Sequence, residues 1–153
     1  LFDVFHHLEF PGNALDEFFR VLNDKGRIVI FEPDNSMLGL IVYGLFHHEP
    51  TGLKNKITYT TDAEEKLINQ KYYASEFNAN RIFVKKEIDI GLKWRVLKMK
   101  RIAGLSYVLS GGYSKPSFYP EYLLGFMYLI DKLLSKIPFL FSTRLLIVLE
   151  KNT

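Results

Sequence analysis

The chain has 153 residues, enough for one domain with a sizeable core. Of these 48% are apolar, with 13 Phe and 9 Tyr, which excludes a disordered or low-complexity chain. A net charge of +3 falls short of the dense basic face of a nucleic-acid binder, and the absence of cysteine removes disulfides, thiolate metal sites and cysteine nucleophiles, which fits a cytoplasmic protein.

The opening "LFDVFHHLEF" places an acid and two histidines after apolar residues. No basic stretch followed by an apolar run marks it as a leader. It reads as the last residues of a strand and the turn beyond it, so an opening on Leu1 implies a partial domain. "NALDEFFRVLNDKG" then predicts a helix. Asn13 is the expected N-cap, with Asp16 and Glu17 in the first turn. Leu15, Phe18, Phe19 and Leu22 form one apolar stripe, Asp16 is spaced to pair with Arg20, and Gly26 is the expected left-handed stop. "RIVIFEP" follows, apolar without alternation over Ile28 to Phe31, the pattern of a strand covered on both faces in a parallel sheet, and Pro33 ends it.

Beyond Pro33 the composition predicts a loop and an apolar helical stretch ending near Pro50. Thr61 to Glu64 has capping-box form and predicts a helix to about Tyr72. "NRIFVKKEIDIG" reads as a strand, with Ile88 and Ile90 alternating against charge. Residues 93 to 101 interleave lysine and arginine with apolar residues. A solvated face is the first reading of that stretch, and contact with an anionic membrane or a phosphorylated substrate is the alternative. "PEYLLGFMYLIDKLLSKIP" predicts a helix between two prolines, apolar almost all round and hence buried against a pocket or a dimer partner, with membrane contact as the third choice. No run of about 20 uncharged residues predicts a membrane span. "RLLIVLEK" predicts the last strand.

A strand end, His6-His7-Leu8, a helix with Ala14, Leu15, Glu17, Arg20, Val21 and Leu22, and then Gly26 to Pro33 resembles the class I S-adenosylmethionine-dependent methyltransferases between their fourth and fifth strands. Asp24-Lys25-Gly26 stands where Pro-Gly-Gly is commoner in that family. The resemblance covers residues 1 to about 34. It implies an α/β fold, the C-terminal half of a Rossmann-like methyltransferase sheet, with residues 92–141 as a helical insertion before the last strand and residues 1–153 forming a single partial domain. The family's glycine-rich cofactor loop has no counterpart, because no Gly-x-Gly occurs in the chain. S-adenosylmethionine is therefore expected as the cofactor of the complete domain, bound weakly or not at all by these residues alone.

The resemblance also sets the site. Ligands of open α/β sheets bind outside the carboxyl ends of the strands. Asp3 and Val4 are thereby expected beside the cofactor. Asp3, His6 and His7 are the catalytic candidates, since methyl transfer to O–H or N–H needs the acceptor held in line and deprotonated. The alternative for the histidines is packing and capping. Glu32, Tyr43, His47 and His48 are expected to line the acceptor pocket, with capping of a nearby helix the alternative for Glu32. A metal held by the two His-His pairs with Glu9 and Glu49 is disfavoured, because helical metal pairs favour i and i+4 spacing. The implied activity is methyl transfer to a small or lipid-like acceptor. The competing reading is a non-catalytic, truncated module acting through oligomerisation or a partner chain. Nucleic acid is not an expected partner, and a homodimer or peripheral membrane contact is compatible with the sequence.

Overall fold

The structure, a computed structural model, describes residues 1–46, 57, 77–111 and 115–152. Among these the chain is mixed α/β, built on a small three-stranded antiparallel sheet. Its elements are α1 (Pro11–Val21), β1 (Arg27–Pro33), α2 (Met37–Phe46), β2 (Trp94–Ala103), α3 (Leu105–Leu109), α4 (Leu124–Leu134), α5 (Pro138–Phe141) and β3 (Ser142–Lys151). The strand order is β1-β3-β2. On its other edge β1 is joined by a parallel bridge from Phe2 to Phe31, in which the Phe31 N–H donates to the Leu1 carbonyl (3.0 Å) and the Asp3 N–H to the Phe31 carbonyl (3.0 Å).

The central register pairs Ile28 with Leu149, Ile30 with Ile147 and Glu32 with Leu145. Partners directly opposite in an antiparallel pair share a face. Ile28, Ile30, Leu145, Ile147 and Leu149 thus make one apolar surface, on which Leu15 of α1, Phe5, Ile82, Phe83 and Trp94 pack. Burial along β1 alternates, and Val29 on the other face is 51% exposed. The expected coverage on both faces is therefore corrected: the run is apolar, but among the described residues one face of β1 lacks a complete cover. Across the sheet Glu150 accepts from Arg27 on one side (2.9 Å) and from Arg95 on the other, an ion triad that agrees with the strand register.

Several local expectations also change. α1 begins two residues earlier than Asn13, with Phe10 at the N-cap and Pro11 first in the helix. Proline is favoured there because its fixed φ suits the helix and its missing N–H would have had no partner. Asp16 and Glu17 consequently fall beyond the first turn. Glu17 takes Arg20, and Asp16 pairs with Lys93 of a distant segment (2.8 Å). The left-handed residue after α1 is Lys25 (φ 57°), not Gly26. Residues 81 to 90 form no strand; Asn80–Val84 is a π-helical turn whose Ile82 and Phe83 enter the core. The 92–141 segment is helical only after Ala103, since its first part is β2, an edge strand. The α4 region is exposed along one side rather than buried. The capping box at 61–64 and the helix to Tyr72 lie outside the described residues.

Candidate active site

The carboxyl end of β1 meets the chain opening at Glu32. This side chain is fully buried among apolar neighbours, and a buried carboxylate needs donors. It finds them in the turn Phe5–His7: Oε1 accepts the N–H of Val4 (2.9 Å) and Phe5 (2.7 Å), and Oε2 accepts the N–H of His6 (3.2 Å) and the His6 ring at Nδ1. Burial alone would raise the Glu32 carboxyl. The His6 ring bond, the Phe5 and Val4 N–H groups and the His6 charge outweigh it and hold the carboxyl below the ordinary value. An ionised carboxylate only accepts, so the proton between the two side chains belongs to Nδ1. The arrangement fixes the ring and, whenever the ring is neutral, leaves Nε2 as the nitrogen without a proton. The His7 ring lies against it at a tilt of 41°, with centroids 4.0 Å apart, and is the less buried of the two.

The second half of the corner is built by Arg144, at the start of β3 and opposite Pro33 in the register. It is buried, and its Nη1 donates to Asp3 Oδ1. Its guanidinium lies over the rings of Phe31 (5.6 Å) and Tyr107 (4.8 Å), an arrangement that favours a partly desolvated cation. Burial disfavours the Arg144 charge, and the neighbouring Tyr43, Asp3 and Tyr107 overcome that effect. Tyr43 donates its hydroxyl to the Thr143 carbonyl (3.1 Å) and packs edge-on against Phe77. Burial raises its phenol to about 12, Arg144 opposing and Asp3, Tyr107 and Asp34 reinforcing the rise. Just beyond β1, buried Asp34 accepts from Asn80 and from Arg101 (2.6 Å).

Of the expected site residues, Asp3, His6 and Glu32 come together, with one ligand-capable atom from each within 4.8 Å of the others. That spacing would suit a cation. However, the oxygens of Glu32 are already engaged by four donors, and Asp3 is engaged by Arg144. The metal-like cluster is thus a hydrogen-bonded one. Val4 is exposed, and its N–H serves Glu32. Tyr43 lies nearby, tied to the backbone of β3. His47 and His48 lie outside the described residues. Glu32 spends its oxygens on the turn and on His6, which is the capping alternative expected for it. Arg144 and Asp34 were not foreseen. The one trace of Arg144 in the sequence is a cation opening an otherwise apolar strand, and only the β1–β3 register shows what it faces.

No family model, no curated protein and no solved structure matches this chain.

Proposed function

We propose that residues 1–153 are the C-terminal portion of a class I S-adenosylmethionine-dependent methyltransferase domain, acting on a small or lipid-like acceptor. The observation that carries the reading is the parallel bridge from Phe2 to Phe31 beside the antiparallel β3. A parallel neighbour on one side of β1 and antiparallel strands on the other are compatible with a mixed, doubly wound sheet, in which antiparallel strands border a parallel block. The bridge also brings Asp3, His6 and Glu32 to the carboxyl ends of adjacent parallel segments, where such sheets bind ligands. In this reading Glu32 orients the His6 ring, Nε2 takes the proton of the acceptor O–H or N–H, and His7 flanks the approach. Arg144 holds Asp3 in place.

The residues present do not make a complete cofactor site. The chain has no Gly-x-Gly loop, the Val4 N–H belongs to Glu32, and Asp3 is held by Arg144. The reading therefore requires a preceding half that supplies the cradle. Titration calorimetry tests it: residues 1–153 bind S-adenosylmethionine more weakly than about 1 mM, whereas the full-length protein binds it at micromolar concentration. Micromolar binding by the 153 residues, or none by the full-length protein, contradicts it. The second reading, a non-catalytic module, is favoured by the uncovered apolar side of α4. A glycine-rich loop encoded upstream of Leu1 would exclude it.

A further inference from the structure

The α4 helix presents to solvent the kind of side chain a helix usually hides. Met127 and Asp131 face inward, while Phe126 (59% exposed), Leu129 (53%) and Leu133 (52%) face outward. Tyr122, in the helical turn Glu121–Leu123 that leads into α4, extends the stripe at i, i+4, i+7 and i+11, a length of about 16 Å at the helical rise. At 100° per residue Lys132 borders this stripe on one side, Lys136 follows in the turn just after α4, and both are exposed. The acid of α4, Asp131, is turned in. It accepts the N–H of Leu105 (2.7 Å) and the N–H and hydroxyl of Ser106, capping α3. The outer side of α4 itself is thus apolar and cationic, and the exposed acid of this region, Glu121, stands at its leading end, away from Lys132 and Lys136 along the axis.

Charge is distributed in the same sense over a wider region. Residues 92–141 hold eight of the chain's twenty Lys and Arg but two of its seventeen Asp and Glu, and the remainder is net acidic. Arg95, Arg101 and Lys93 are spent on Glu150, Asp34 and Asp16. Among the described residues Lys98, Lys100, Lys132 and Lys136 have no acidic partner, and all four are exposed. Ala103 of β2 donates its N–H to Ser135 Oγ at the end of α4 (2.9 Å). Lys100, three strand residues from Ala103, is therefore about 10 Å from that joint, near the screening distance at physiological salt.

We propose that the α4 face docks on the surface of an anionic phospholipid bilayer, with Phe126, Leu129 and Leu133 entering the headgroup boundary and Lys132 and Lys136 meeting lipid phosphates and carboxylates. An apolar stripe edged by lysines is the composition of a helix lying in the interface plane. An anionic surface complements these lysines. No helix of the described residues is long and apolar enough to cross a membrane, so the contact is peripheral. The inference is independent of the methyltransferase reading.

Vesicle co-sedimentation of the full chain tests it, using phosphatidylcholine alone and phosphatidylcholine with 30% phosphatidylserine. The docking predicts pelleting with the anionic vesicles, little with the neutral ones, and release in 0.5 M NaCl. Lys132→Gln with Lys136→Gln weakens binding about 30-fold, and Phe126→Ser weakens it about tenfold. Circular dichroism of each variant should match the parent, because the replaced side chains are exposed. Equal binding to both vesicle types, no binding to either, or folded variants that bind unchanged would overturn the proposal. So would a concentration-dependent dimer, seen by sedimentation, that Leu129→Ser dissolves.

Discussion

Glu32 is the residue on which most of the corner depends. Its two oxygens gather four donors from a turn that has no other acceptor for those groups, so removing its charge unsettles His6 and the chain opening together. Glu32→Gln should cost about 2–3 kcal/mol in urea unfolding. Its pH signature has a definite sign. The folded carboxyl titrates below the ordinary 4.5, so its contribution is complete above that pH and is lost as pH falls through the folded value. Unfolding midpoints measured from pH 7 downward should drop at the acid end, and the drop should be shallower in Glu32→Gln; parallel profiles would contradict the assignment. Tyr43 provides an alkaline counterpart. Its phenol should ionise near 12, two units above a free tyrosine, in the ultraviolet difference between the parent chain and Tyr43→Phe. A midpoint near 10 would mean that Tyr43 is not buried.

At the scale of elements, two turns carry checkable strain. Lys25 stands at φ 57°, a left-handed conformation that costs an L side chain about 1 kcal/mol and glycine almost nothing. Lys25→Gly should therefore raise stability by up to about 0.5 kcal/mol, since the added freedom of the unfolded chain offsets much of the relieved strain. Gly39, in the first turn of α2, has the opposite constraint. A Cβ there would lie 2.0 Å from the Asp34 carbonyl oxygen and 3.2 Å from that of Ser142. Ser36 fixes this approach by accepting the Gly39 N–H (3.0 Å) and donating to the Ser142 carbonyl. Gly39→Ala should cost at least about 2 kcal/mol, as backbone has to move to admit it. The sequence marked α1, β1, α2 and β3 through periodicity, an apolar run and prolines, and misread what depends on partners elsewhere. Pro11 moved the start of α1. The alternation at Ile88 and Ile90 had no neighbouring strand to join. The charged alternation of β2 looked irregular because it is an edge strand with bulges, where lysine is at home. In the site, Asp3, His6 and Glu32 were legible from a familiar spelling. Arg144 was not, because it reaches Asp3 across 141 residues.

At the scale of the molecule, two surfaces lack a cover among the described residues, and they differ in kind. At the edge of β1, Phe2 stacks on Phe31 (4.9 Å) and Val29 is exposed, with no cations other than Arg27 along that strand. Sheet surface of this composition is suited to burial against further protein. On α4 the apolar residues are edged by lysines and suited to an anionic surface. The Asp3–His6–Glu32–Arg144 corner and the proposed docking face stand on separate elements. The central claim is that the Asp3–His6–Glu32–Arg144 corner faces the cofactor in the complete domain. Its most direct test is ¹⁵N-resolved NMR of the full-length protein titrated with S-adenosylhomocysteine. The account predicts that the Asp3 and Val4 amides and the His6 ring nitrogens shift on saturation, while the Ile147 and Leu149 amides stay in place. Saturable binding that leaves residues 3 to 7 unmoved would contradict it.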